Sequence, residues 1–432
     1  MSERFRIAVI DDFQRVAAEL ADWSQAGPDC DFVFFQNHCS DEDALEQRLR
    51  DFDAIVAMRE RTPFPGSLLA RLPRLRLLVA TGMFHQTIDF EAARTRGIVV
   101  CGTDNGPGIA TTVEHIWAMI LGLTRNLAAE DAAIRAGGWQ VSLGPLLSGK
   151  TLGILGLGNL GRAIVPIARA FGLHVVAWSR NLTELQAAAA GAVLVDHDTF
   201  FRESDVITVQ LKLSSRSVGY VGAAEFAQMK PTALFINTSR GPVVDEPALI
   251  EALRSGQIAG AALDVFDREP LPVDHPFRTL PNTLLTPHMG YASHETYRTF
   301  YASAVAGIVG FRAGRPLRVL TCFALRHKPH MCPVGVQPMA SVEAMPNPVR
   351  REAAQKRVLG RVSRDGIRHA HCCLSFWRSQ ARTAAMTGLI SARGLGSARS
   401  SWVRPDSKGR VRSNSRGTIQ QPIRRDSKCV PN

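Results

Sequence analysis

The chain of 432 residues is long enough for two domains with separate hydrophobic cores. No stretch approaches 18 consecutive apolar residues, which argues against a membrane-spanning helix. The start, MSERFRIAVIDD, is charged and leads directly into an apolar strand, so we expect no secretory signal and a cytoplasmic protein. The eight cysteines lack metal-ligand spacing, so we expect a reducing compartment and no bound metal.

The net charge of +12 is concentrated in the last quarter of the chain. Residues 1–320 hold 30 Lys and Arg against 34 Asp and Glu, whereas residues 321–432 hold 21 against 5. The latter segment lacks hydrophobic periodicity and contains scattered Arg, Ser, Gly and Pro, which predicts a disordered basic tail. We interpret it as an extension without function, and nonspecific contact with nucleic acid is the alternative.

Short apolar runs alternate with helical or loop segments through the first hundred residues, which predicts a small unit with a parallel sheet. The predicted strands cover residues 5–10, 32–35, 54–58, 75–80 and 98–101. Arg59 and Arg61 follow the third strand, where ligands bind in such sheets, although we favour ordinary surface positions for them. A long apolar helix is expected over 111–126, and Glu114 and His115 are interpreted as residues of its first-turn cap.

The stretch from Thr151 to Arg180 predicts a strand, a glycine turn, a helix and a second strand, which together form a βαβ unit. The turn residues expected to contact a dinucleotide are Gly156, Gly158, Asn159, Leu160 and Gly161. The glycine spacing allows a tight turn, a close approach of backbone to pyrophosphate and close helix–strand packing. Free N–H groups at the start of the helix attract the phosphates. A tight turn without a ligand is the alternative.

The end of the second strand of this unit decides between NAD and NADP. An acidic residue there binds the ribose 2′-hydroxyl of NAD, whereas an arginine accommodates the 2′-phosphate of NADP. The chain has Ser179 and Arg180, followed by Asn181, and no carboxylate at this place. We therefore expect that NADP is tolerated or preferred, and a solvated surface arginine is the alternative.

Polar clusters follow three of the predicted downstream strands, at the edge where chemistry is expected in a parallel sheet. The downstream strands and helices are predicted over 206–209, 223–230, 233–237, 246–255, 259–265, 283–286 and 292–312. The clusters contain Arg240, Glu269 and His288. An arginine that binds a carboxylate, a histidine that transfers a proton and a carboxylate that orients it suit hydride transfer from a 2-hydroxy acid. Taken singly, a surface arginine, a loop glutamate and a helix-capping histidine are the alternatives.

At these residues the chain resembles the D-isomer-specific 2-hydroxyacid dehydrogenase family, over about residues 50–320. The motifs that carry the resemblance are GLGNLG (156–161), NTSRGPVVDEPAL (237–249), GAALDVFDREPLP (260–272) and TPHMGY (286–291). The resemblance implies that Arg240 binds the substrate, that His288 is the acid/base and that Glu269 pairs with this histidine.

The resemblance also assigns residues around the cofactor and the substrate. Asp264 is expected to face the nicotinamide amide, and Thr238 is expected to contact the cofactor. The turn at Gly82 and Met83 is expected to offer backbone N–H groups to the substrate carboxylate. One departure is the segment QLKLS (210–214), which differs from the common H-x-P-L-T of the family and leaves the local loop shape open.

The implied fold is α/β, with two doubly wound parallel-sheet domains in a homodimer. These are a flavodoxin-like substrate domain over 1–103 and 291–320 and a Rossmann cofactor domain over 104–290, followed by the tail over 321–432. We expect an NAD(P)-dependent oxidoreductase that interconverts a 2-oxo acid and a D-2-hydroxy acid, of the glyoxylate or hydroxypyruvate reductase type. A phosphoglycerate dehydrogenase-like enzyme and a dinucleotide-sensing scaffold or corepressor are the alternatives.

Overall fold

The computed structural model describes residues 4–83 and 85–321, which form two parallel β-sheets packed against helices. None of the described helices is long and apolar enough to cross a lipid bilayer. The predicted basic tail lies outside the described residues apart from Thr321. The fold class predicted for the rest of the chain is confirmed, since both sheets are parallel throughout.

The first sheet has five strands, and its topology is flavodoxin-like. The strands are β1 (Phe5–Val9), β2 (Cys30–Phe34), β3 (Ala54–Ala57), β4 (Leu77–Ala80) and β5 (Val99–Cys101). The helices that connect them are α1 (Ala17–Leu20), α2 (Glu42–Leu49), α3 (Gly66–Ala70) and α4 (Phe90–Thr95). The strand order is β2-β1-β3-β4-β5, and in such a sheet ligands bind at the carboxyl ends of β1 and β3.

The second sheet has seven strands and carries the glycine turn. After α5 (Gly108–Thr124) and α6 (Leu127–Arg135), its elements follow in chain order. They are β6 (Thr151–Leu155), α7 (Asn159–Ala170), β7 (His174–Trp178), α8 (Glu184–Ala190), β8 (Val193–Leu194), α9 (His197–Glu203), β9 (Val206–Val209), α10 (Ala223–Gln228), β10 (Leu234–Asn237), α11 (Glu246–Arg254), β11 (Gly260–Leu263) and β12 (Thr283–Leu285). The order β12-β11-β10-β9-β6-β7-β8 reverses between β6 and β9, which is where a dinucleotide binds in a Rossmann sheet.

The long helix α12 (His294–Arg312) returns to the five-stranded sheet. Its buried side chains recur at helical spacing, which gives the helix one apolar face. These side chains are Tyr297, Phe300, Tyr301, Ala304 and Ile308. They share a core with Ile7, Val9 and Val79 of the sheet. The predicted domain boundaries at residues 103 and 290 stay a prediction.

Candidate active site

The glycine turn between β6 and α7 has the shape that a dinucleotide requires. Gly156 has φ of 101°, a left-handed conformation that other residues rarely adopt. A Cβ on Gly161 would lie 2.5 Å from the carbonyl oxygen of Gly156, so only glycine lets the helix pack this closely. A Cβ on Gly158 would meet open space, and no side chain caps the helix that follows. The free N–H groups at the start of α7 therefore fit a pyrophosphate.

The remaining predicted cofactor residues lie around this turn. Asn159 is exposed at the first position of α7, and Leu160 is half-buried beside it. Ser179 is half-buried directly after β7, and Arg180 is exposed next to it. Burial raises the pKa of the Tyr220 phenol, and the charge of Arg180 acts against this rise. Arg180 is therefore exposed and close enough to Tyr220 for its charge to act on the phenol.

His288 and Glu269 form a hydrogen-bonded pair beyond the ends of β12 and β11. His288 Nδ1 lies 2.6 Å from Glu269 Oε2, and an ionised carboxylate can only accept, so the ring nitrogen donates. Glu269 Oε1 accepts the backbone N–H of Phe266 at 3.0 Å, which holds the carboxylate in place. His288 has φ of 49°, a conformation that costs free energy and is characteristic of functional sites. The other ring nitrogen, Nε2, is thereby left as the site for proton exchange with a ligand.

Arg240 lies beyond the end of β10, in the same cavity as His288. The cavity has a volume of about 310 Å³ and lies between the two sheets. Its lining includes predicted site residues from both cofactor and substrate positions, namely Leu160, Thr238, Arg240, Asp264 and His288. Arg240 Nη1 donates to the Ser239 carbonyl at 2.8 Å, and its Nη2 donates to Glu60 Oε2 at 2.7 Å. The guanidinium is therefore fixed in orientation by one contact from each side of the cleft. Glu269 lines a second cavity, of about 420 Å³, on the other side of His288.

Asp264 is 1% exposed and accepts hydrogen bonds from several groups. Its Oδ1 accepts from the Thr286 hydroxyl at 2.6 Å and from the Met289 N–H at 2.9 Å. Its Oδ2 accepts the Gly290 N–H at 3.0 Å, and His115 Nε2 lies 3.1 Å from Oδ1. Burial alone would raise the pKa of Asp264, but the bonds from His115, Thr286 and the backbone lower it below its ordinary value. The carboxylate is therefore a fixed negative charge at the cavity wall.

Comparison with known proteins gives one consistent family. Residues 117–290 match the profile of the D-isomer specific 2-hydroxyacid dehydrogenase, NAD binding domain. The chain is 36% identical over 281 residues to the glyoxylate reductase of Thermococcus litoralis, covering 62% of this chain and 83% of that protein. It is 38% identical over 284 residues to the glyoxylate reductase of Aeropyrum pernix, covering 63% and 84%. A crystal structure of phosphoglycerate oxidoreductase from Vibrio cholerae matches with a TM-score of 0.68 at 34% identity, covering 72% of this chain and 99% of that chain.

This chain belongs to the D-isomer specific 2-hydroxyacid dehydrogenase family. The predicted activity is thereby confirmed at the level of the family. The protein is an NAD(P)-dependent dehydrogenase that interconverts a 2-oxo acid and a D-2-hydroxy acid by hydride transfer. The roles of individual residues and the choice between the two cofactors stay predictions.

The dehydrogenase departs from the prediction at the Gly82 turn. The Gly82 N–H donates to Thr103 Oγ1 at 2.7 Å, so it is not free to bind a substrate carboxylate. With φ of 98° and no side chain, Gly82 instead leaves room for the guanidinium of Arg59, which a Cβ would overlap. Met83 is 38% exposed, and its predicted contact with substrate stays a prediction.

Three charged residues of the dehydrogenase are also placed differently from the prediction. Arg59 and Arg61 are half-buried, not free on the surface, and both guanidinium groups lie over the ring of Tyr291, at 5.6 and 5.7 Å from its centre. His115 does not cap α5, because its side chain binds Asp264 from the third turn of that helix, while Glu114 is exposed. The sequence signal for both arginines is their place at the end of a strand, whereas nothing in the sequence connects His115 with Asp264.

Proposed function

We propose that the dehydrogenase reduces a small 2-oxo acid, such as glyoxylate or hydroxypyruvate, to the D-2-hydroxy acid with NADPH as the preferred reductant. The observation that carries this proposal is that His288, hydrogen-bonded to Glu269 at 2.6 Å, lines a cavity of about 310 Å³ together with Arg240. A cavity of this size suits a small acid. The relatives from Thermococcus litoralis and Aeropyrum pernix, both named glyoxylate reductase, support the choice of acid.

Each polar residue of the cavity has a distinct role in this proposal. Arg240 binds the substrate carboxylate and polarises the oxygen at C2, which suits its planar, always charged guanidinium. His288 gives a proton from Nε2 to that oxygen during reduction and takes it back during oxidation. Glu269 orients the ring through Nδ1 and stabilises its charged form. When bound, the reduced nicotinamide supplies the hydride.

The cofactor is held by two groups of residues in this proposal. The turn and the start of α7 hold the pyrophosphate through Gly156, Gly158, Asn159, Leu160 and Gly161. Thr238 and Asp264 line the cavity, and in this proposal they face the nicotinamide. Ser179 and Arg180 receive the 2′-phosphate, because they place a hydroxyl and a cation where a carboxylate would repel it.

We also propose a homodimer, supported by an exposed apolar surface on residues 127–146. Its members, from α6 and the segment that follows, are Leu127, Ile134, Trp139, Val141, Leu143 and Leu146. Trp139 is 75% exposed and Leu143 is fully exposed. An apolar surface of this kind is characteristic of a protein–protein interface. The cytoplasmic location expected from the sequence stays a prediction.

The proposed function is tested by following NADPH and NADH oxidation against a panel of 2-oxo acids. We expect turnover with glyoxylate and hydroxypyruvate, and a higher kcat/KM with NADPH than with NADH. Cofactor binding without oxidation by any acid of the panel would contradict the proposal and favour the dinucleotide-sensing scaffold. Preferred turnover of phosphohydroxypyruvate would favour the phosphoglycerate dehydrogenase-like alternative.

A further inference from the structure

Glu60 reaches across the cleft to the arginine that is proposed to bind substrate. It follows β3 of the five-stranded sheet, whereas Arg240 follows β10 of the seven-stranded sheet. Glu60 Oε2 accepts from Arg240 Nη2 at 2.7 Å, and Oε1 accepts the Gln86 N–H at 3.3 Å. The Glu60 side chain is only 14% exposed. A half-buried carboxylate thus stands beside the place of the substrate carboxylate.

The charges that line the cavity leave room for one further negative charge. Arg59 and Arg240 contribute two cations, and Glu60 contributes one anion. Burial would raise the pKa of Glu60, but Arg240 and Arg59 lower it below its ordinary value, so this carboxylate is ionised at neutral pH. Lys212 and Asp264 also line the cavity, and their opposite charges offset each other in this count. One substrate carboxylate therefore balances the pair of arginines against Glu60.

Among the described residues that line the cavity, the charges are then balanced, so a second anionic group on the substrate would add an uncompensated negative charge. It would also share the cavity with the Glu60 carboxylate, where repulsion between like charges is strong because the Glu60 side chain is only 14% exposed. Discrimination of this kind comes from a repulsive element and not from an extra attractive contact.

We propose that Glu60 is a specificity-determining residue that makes the active site selective for 2-oxo acids with a single negative charge. It excludes 2-oxo acids that carry a second carboxylate or a phosphate. The inference rests on the function proposed above and names the charge class of its substrate. The Glu60 carboxylate also holds the side chain of Arg240 by a hydrogen bond. The test must therefore separate the loss of the negative charge at position 60 from a displacement of Arg240.

The test compares hydroxypyruvate with phosphohydroxypyruvate, which share a carbon skeleton and differ by the phosphate. For the wild-type enzyme we expect kcat/KM to favour hydroxypyruvate by about a hundredfold or more. Glu60→Gln keeps a hydrogen-bond acceptor for Arg240 but removes the charge, and it should narrow this ratio by about tenfold or more. Glu60→Asp should retain most of the selectivity, and Glu251→Gln, an exposed glutamate on α11, should leave the ratio unchanged.

A second measurement covers the case in which Glu60→Gln is catalytically impaired. Dissociation constants for the unreactive acids oxamate, a monoanion, and oxalate, a dianion, are measured on the NADPH complex by fluorescence. The variant should bind oxalate more tightly relative to oxamate than the wild type does. Unchanged ratios in both experiments, with turnover intact, would overturn the inference alone. Absence of turnover with both hydroxypyruvate and phosphohydroxypyruvate in the wild type would overturn the proposed function as well.

Discussion

Replacing Asp264 by asparagine tests whether the buried carboxylate is as tightly integrated as its contacts imply. The asparagine amide has one oxygen and one NH2 group. The NH2 group must therefore replace either Oδ1 or Oδ2, and in both cases it faces groups that donate a hydrogen bond in the wild type. In the better orientation the oxygen takes the place of Oδ1, and the NH2 group faces the Gly290 N–H, which donates to Oδ2 at 3.0 Å in the wild type. In the other orientation the NH2 group faces Thr286, Met289 and His115.

The magnitude follows from the better orientation. The Gly290 N–H loses its partner, and a buried unpaired donor costs about 1–3 kcal/mol. The three bonds at Oδ1 lose their charge assistance, at about 1 kcal/mol each. We therefore expect Asp264→Asn to lower the free energy of unfolding by about 4–6 kcal/mol at neutral pH.

The effect should depend on pH with a defined sign. Because the pKa of Asp264 is lowered in the folded protein, its contribution is fully present above the ordinary value of about 3.9. That contribution is lost as the pH falls through the lower folded value, since the unfolded chain binds the proton first. The difference in stability between Asp264→Asn and the wild type should therefore shrink below about pH 4.

Urea unfolding followed by tryptophan fluorescence measures this difference. Asp267→Asn is the matched control, because the environment of Asp267 disfavours its charge although the residue is exposed overall. Partial desolvation of the carboxylate and the acidic neighbours Glu246 and Asp245 raise its pKa. Loss of that charge should change stability by about 0.5 kcal/mol at most, or stabilise slightly. A loss below about 1 kcal/mol for Asp264→Asn at neutral pH would refute the reasoning.

Two further predictions concern the cofactor and the dimer. Arg180→Ala should lower kcat/KM for NADPH by about tenfold or more and leave NADH almost unchanged, because only the 2′-phosphate meets the arginine; an equal loss with both cofactors in steady-state assays would contradict the assignment. Replacing Trp139 and Leu143 together by serine should convert the proposed dimer to a monomer at micromolar concentration, since both side chains are exposed in the single chain. Sedimentation velocity measures the mass, and an unchanged mass would place the interface elsewhere.

The strands were predictable wherever burial on both faces produces a continuous apolar run. β9 has the predicted limits of 206–209, because all four of its residues are buried and a parallel strand covered on both faces is apolar throughout. β8 could not be predicted, since it has two residues, Val193 and Leu194, and the first is 62% exposed. α6 was also missed, because it has no buried residue and so no apolar face.

The candidate site was predictable only as far as strand ends and motifs reach. Arg240 and His288 both follow strands of one sheet, so the sequence places them at a common edge. Contacts between separate elements leave no such pattern. Glu60 and Arg240 are 180 residues apart, and their contact depends on how two sheets face each other. The same holds for His115. The periodicity of α5 shows on which face of the helix His115 lies, but it does not show that Asp264 lies opposite that face.

The most direct test of the account is the kinetics of His288→Ala with NADPH and glyoxylate. The account predicts that kcat falls by about 10²–10⁴, since proton transfer to the C2 oxygen loses its donor. The dissociation constant for NADPH, measured by fluorescence titration, should stay within about threefold of the wild type, because His288 is not one of the residues proposed to hold the cofactor. A kcat within about tenfold of the wild type would contradict the role of His288 as the acid/base of hydride transfer.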